Sequence, residues 1–154
     1  MAPECVILVG LPAAGKTTFF RRRFEGTHAH VSKDLLRNVR RPDRRQDALI
    51  TESLSRGESV VVDNTNTTRE VRGRLITLAK GLGATITGYY LPAEAADALR
   101  RNRARQGRER VPDVAIFAAR KRLEPPSLDE GFDRLFVVRL DEKQGGFEVE
   151  PYSE

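Results

Sequence analysis

Cys5-Val6-Ile7-Leu8-Val9-Gly10-Leu11-Pro12-Ala13-Ala14-Gly15-Lys16-Thr17-Thr18 decides how this chain folds. The first five residues are a continuous apolar run, as expected of a strand covered on both faces. Gly10 to Thr17 then fits G-x-x-x-x-G-K-[ST], and Thr17 to Phe24 reads as a helix. Strand, glycine-bounded turn and helix in that order are the context in which this motif cradles phosphate. Gly10 and Gly15 permit close backbone approach and unusual dihedrals. Between them, Leu11, Ala13 and Ala14 carry backbone N–H groups that can turn inward as a nest for phosphate oxygens, and Pro12, which has none, stiffens the turn that presents them. The helix that starts here adds a favourable dipole. Lys16 places a charge near the β/γ bridge of ATP, the Thr17 hydroxyl can ligate Mg²⁺, and Thr18 closes the ATP-binding stretch.

Outward from this loop, β-rich runs alternate with helical patterns. Residues 28–31 read as a second strand and 33–38 as a short helix. Residues 44–55 form a longer helix, with Leu49 and Ser53, and Ile50 and Leu54, at four-residue spacing. Ser59 to Asp63 is a β-branched strand. Thr68 can cap a helix whose Val71, Leu75, Leu78 and Leu82 share one face, stopped by Gly81 and Gly83. Residues 85–91 make a strand and 93–105 a helix. Asp113 can cap a helix to Leu123, ended by Pro125-Pro126. Leu135 to Val138 is a last core strand, and Phe147 to Glu150 pairs at an edge or stays loose. The alternation predicts a three-layer α/β fold: a parallel sheet with helices on both faces, in a single domain over residues 1–154.

The chain has 154 residues, 39% apolar and 32% charged, which fits one globular domain and leaves no apolar run near the length of a membrane span. The start has no basic, apolar, cleavable leader, and Cys5 is the single cysteine, so an intracellular, cytoplasmic location is expected and a cysteine metal site is not. Residues 1–123 carry 24 basic and 13 acidic side chains, a balance of +11, and residues 124–154 carry 3 and 9, a balance of −6. A basic body points to a polyanionic partner, and residues 140–154 read as an acidic, solvated tail.

Three further groups fit phosphoryl transfer. Asp63 ends its strand in a carboxylate that could hold Mg²⁺, directly or through water, or orient Thr17. Asn64, next in line, could face the acceptor. Asp34 follows the second strand, whose end borders the crevice of an open parallel sheet. It could accept a hydroxyl proton, with Arg37 one helical turn on to grip a phosphate. Arg101 and Arg105, four apart in an arginine-dense stretch, could form a lid over residues 100–112 that neutralises the transferring group and excludes water, with Gly107 as its flexible exit. His28 and His30 share one side of their strand without a third metal ligand in view. Phe19, Phe20 and Phe24 read as core.

The chain resembles the kinase domain of polynucleotide 5′-hydroxyl kinases over nearly its whole length, from Cys5 to Val138. The resemblance lies in VGLPAAGKTT, VSKDLLR around Asp34, VVVDNTN at Asp63, RNRAR in the lid, and LEPPSLDEGF over residues 123–132. It implies an adenylate-kinase-like P-loop fold and transfer of the ATP γ-phosphate to a nucleic-acid 5′-OH. Lys16 and Thr17 would bind the phosphates and Mg²⁺, and Asp34 would be the general base. Arg37 would contact the acceptor phosphate, Asp63 the metal site, and Arg101 and Arg105 the donor phosphates. Neither the motifs nor the resemblance places the adenine contacts; the later loops, including residues 124–134, are where they are sought. Relatives often have a glycine where this loop has Ala13-Ala14. Many also fuse the kinase to a phosphatase or ligase, so a stand-alone kinase is expected here, with those activities on separate proteins. Two other readings stay open at this point: a small-molecule kinase, and a nucleotide-gated binding module without transfer.

Overall fold

A computed structural model describes residues 2–141 and 144–153; Glu142, Lys143 and Glu154 of the expected tail lie outside the described residues. Six strands form one sheet: β1 (Glu4–Val9), β2 (Ala29–Val31), β3 (Val60–Val62), β4 (Thr85–Tyr90), β5 (Arg134–Asp141) and β6 (Gly146–Pro151), in the order β2-β3-β1-β4-β5-β6. The first five are parallel, and β6 returns antiparallel on β5. The stretch that read as a pairing edge or a loose tail is therefore the sheet's sixth strand. Side chains of β1 alternate between two cores, as the pleat requires. Cys5, Ile7 and Val9 meet α2 (Pro42–Ser55) and α3 (Arg69–Gly81), through Ile50, Leu54, Leu75, Ile76 and Ala79. Val6 and Leu8 meet α1 (Lys16–Arg23), α4 (Ala95–Arg103) and α5 (Asp113–Arg122), through Phe19, Phe20, Ala98, Ile116 and Ala119. Phe19, Phe20 and Phe24 are core, as expected.

Sheet order places β1 between β3 and β4; the chain leaves β1 on the β3 side, toward β2, and leaves β4 on the other side, toward β5. The crevice at the carboxyl end of such a switch point is where open α/β sheets take ligands. The loop of residues 10–15 sits there.

Three local readings change. Val71 is 41% exposed, and the buried stripe of α3 is Arg72, Leu75, Ile76 and Ala79. Arg72 can be buried because Glu130 meets it at two points, 2.7 and 3.0 Å. Asp113 is the first residue of α5 rather than its cap; Pro112 holds that position. α4 ends at Arg103, so Arg105 lies beyond the helix that was to carry it on the face of Arg101.

Candidate active site

The phosphate-type loop leaves β1 and enters α1 at Gly15, whose φ of 98° lies in the left-handed region that glycine adopts without strain. A Cβ on Gly10 would come 2.9 Å from the Leu91 carbonyl oxygen, so the strand end admits only glycine without movement. Ala13, where relatives often carry glycine, is itself left-handed at φ 64°. Lys16 folds back over the loop: its Nζ donates to the carbonyls of Leu11 at 2.7 Å and Gly10 at 3.2 Å. Burial lowers its pKa to about 8; Arg105 pushes the same way, and Asp63 and Asp34 oppose them. Both carboxylates and the lid arginine thus act on the same ammonium.

Asp63 is buried one residue past β3. Its Oδ2 accepts from the Thr17 hydroxyl and pairs with His30 Nε2, each at 2.8 Å. Burial raises its pKa, but His30, Thr17 and Lys16 outweigh it and hold the carboxyl below its usual range. It is therefore an anion at neutral pH. The expected Thr17–Asp63 relation is present; the His30 contact was not read from the sequence. Among the described residues Oδ1 has no hydrogen-bond partner, and Thr17 and Asp63 line the same cavity, so an oxygen donor set suited to a hard cation is in place.

That cavity, about 240 Å³, is lined by Pro12, Lys16, Thr17, Asp34, Asp63 and Arg105 among others. A second, about 250 Å³, is lined by Thr17, Arg21, His30, Asp34, Leu35, Arg37 and Glu109. Thr17, Asp34 and Glu109 belong to both walls. Asp34 stands at this junction on the 3₁₀ turn Lys33–Leu36, started by Ser32, whose Oγ accepts from its backbone N–H. Its side chain is 81% exposed and 3.6 Å from Arg37. Asn64, expected at the acceptor, spends both ends of its amide on the protein: Oδ1 accepts from the Lys33 N–H and Nδ2 donates to Gln46. It fixes the turn that bears Asp34.

The lid segment is pinned at its base, and Gly107, expected as its flexible exit, lies between the two tied residues with a φ of 60°. Asn102, fully buried, donates to the Val111 carbonyl at 2.7 Å and accepts from its N–H at 3.0 Å. Arg101 reaches the Ala13 carbonyl at 3.5 Å, and Arg105 lines the loop cavity. A third cavity, about 190 Å³, lies between Gly15, Thr18, Arg101, Arg105, Leu140 and Phe147. Residues 124–134 pack on α3: Glu130 holds Arg72, which donates to the Asn66 carbonyl at 2.9 Å. Asn66 Nδ2 in turn donates to the Leu8 carbonyl. That segment braces the loop after β3 from behind.

A family model described as an AAA domain matches residues 5–126. The chain belongs to this AAA-domain family. The chain is also similar to the bifunctional polynucleotide phosphatase/kinase of Schizosaccharomyces pombe, 29% identical over 140 residues. The match covers 88% of the chain and 33% of that protein, so the chain spans about a third of this relative's length. A gluconokinase from Sinorhizobium meliloti shares the fold at a TM-score of 0.62 and 22% identity, covering 90% of this chain and 83% of the gluconokinase. A chain of the Pnkp1/Rnl/Hen1 RNA repair complex does so at 0.68 and 20%, covering 97% and 48%. This AAA domain thus has a three-layer α/β P-loop fold. Among its described residues, no helix is long and apolar enough to cross a membrane.

Proposed function

We propose that this domain is an ATP-dependent polynucleotide 5′-hydroxyl kinase. The observation that carries the reading is the meeting of the two cavities at Asp34. One holds the phosphate-type loop; the other is a groove flanked by Arg21 and Arg37, whose charge suits a phosphodiester strand. A triphosphate in the first and a hydroxyl in the second come together beside that carboxylate.

In this reading residues 10–18 hold the ATP phosphates, and the third cavity, with Leu140 and Phe147, takes the nucleoside end. Thr17 and Asp63 hold Mg²⁺, which when bound neutralises charge on the β- and γ-phosphates. Asp34 accepts the proton of the 5′-hydroxyl as its oxygen bonds to the γ-phosphorus, and the bond to the β–γ bridging oxygen breaks to leave ADP. Lys16, Arg101 and Arg105 stabilise the charge that develops, and Arg37 seats the acceptor's first phosphate. Little covalent chemistry falls to the protein, so positioning dominates.

The deciding experiment offers γ-labelled ATP to a panel: a 5′-OH oligonucleotide of DNA, the same of RNA, nucleosides, and gluconate. Label on the oligonucleotides, with oligonucleotide binding that weakens as salt rises, is expected. Label on a small alcohol alone would make this a small-molecule kinase, which the gluconokinase fold allows. ATP binding with no transfer to any acceptor would leave a nucleotide-gated module.

A further inference from the structure

The strand register brings a side chain into the metal-type site that no motif contains. β2 and β3 are parallel with His30 opposite Val61 and Val31 opposite Val62. Side chains alternate, so His30, Val61 and Asp63 project to one face, the face of α1. There His30 Nε2 lies 2.8 Å from Asp63 Oδ2, and its ring stacks on Phe20, centroids 4.0 Å apart and planes 15° from parallel. Phe20 is one helical turn beyond Thr17 on α1, and Thr17 bonds the same carboxylate oxygen. The contacts close a ring: Thr17, Asp63, His30, Phe20 and back along α1. An ionised carboxylate can only accept, so Nε2 carries the hydrogen. Oδ2 is then committed twice to the protein, from Thr17 and from His30, and the carboxylate that lines the cavity is held from both sides.

We infer that His30 is a positioning residue for the divalent cation: it holds the Asp63 carboxylate in the one orientation that leaves Oδ1 for the ion or its water. The inference rests on the reading of the cleft as a Mg·nucleotide site, but not on the identity of the acceptor. Phe20 alone cannot replace it, because an aromatic platform supplies packing and no donor. Partners that orient a metal-binding carboxylate characteristically change metal affinity by 10–100-fold when lost.

The test is calorimetric ADP binding, with Mg²⁺ and with EDTA, to the wild-type chain, His30→Ala and His30→Gln, with melting temperatures measured alongside. Gln is chosen because its amide can reach Asp63 as a donor. In wild type, Mg²⁺ should strengthen ADP binding. In His30→Ala that gain should shrink at least tenfold, with affinity in EDTA within twofold of wild type; His30→Gln should recover most of it. Should His30→Ala fail to fold, His30→Phe, which keeps the stack and lacks the donor, takes its place with the same expected loss. An unchanged Mg²⁺ gain, or equal losses with and without Mg²⁺, would overturn the inference. No Mg²⁺ gain in wild type would overturn both it and the metal site. A normal Mg²⁺ gain with no labelled oligonucleotide would remove the proposed acceptor and leave His30's role standing.

Discussion

Lys16 and Leu11 are joined by a 2.7 Å hydrogen bond from the ammonium to the loop's own carbonyl oxygen. With its charge turned onto the loop and buried, Lys16 has a pKa lowered to about 8. Below that pH the ammonium is present for a polyphosphate; above it the charge is lost. ADP affinity should therefore fall as pH rises from 7 to 9.5, and Lys16→Met should bind weakly and nearly independently of pH in that window. The same shift makes folding stability rise between about pH 8 and the ordinary lysine value of 10.5, because only the unfolded chain keeps the proton there. Calorimetric titration across pH checks the first point; wild-type affinity that stays flat would contradict it.

The Arg72–Glu130 pair is buried, and Arg72 also holds the Asn66 carbonyl. Removing one partner strands a charge away from water. Glu130→Ala should cost about 3–5 kcal/mol in urea unfolding, whereas replacing both residues with apolar ones should cost less than that single change. A single-variant loss under 1 kcal/mol would show that water reaches the pair.

Gly88 in β4 faces Phe132: a Cβ there would lie 2.6 Å from the ring. Gly88→Ala should lose about 1–3 kcal/mol by overpacking, and Phe132→Leu in the same chain should return part of it. Equal stability of Gly88→Ala and wild type by thermal melting would mean that the sheet and residues 124–134 shift freely.

Asn102 ties both backbone groups of Val111. Asn102→Ala leaves these groups without their partner, at about 1–3 kcal/mol, and frees the segment between them. Faster limited proteolysis at residues 103–110 is the expected sign, with cleavage unchanged as the result that would dismiss the tie.

The elements written in contiguous residues were legible. The apolar run into a glycine-bounded loop, the β-branched run ending in Asp63, and the turn carrying Asp34 depend on neighbours in sequence. What depended on pairing was not. His30 meets Asp63 only through the β2–β3 register, which local pattern does not set. Asn102 meets Val111 across the lid segment. Val71 was read into the apolar stripe of α3 because a buried arginine is improbable until its carboxylate partner, 58 residues away, is known. Residues 124–134 carry motif residues, and that they brace α3 and the loop after β3 is something only tertiary placement reveals.

The most direct measurement is single-turnover transfer from γ-labelled ATP to a 5′-OH oligonucleotide by wild type and Asp34→Asn, with ADP affinity measured on the same samples. Label at the 5′ end with wild type is expected, with a rate roughly 10²–10⁴-fold lower for Asp34→Asn at unchanged ADP affinity. Near-normal transfer by Asp34→Asn, or no 5′ label from a wild-type chain that binds ADP with Mg²⁺, would contradict the proposed chemistry.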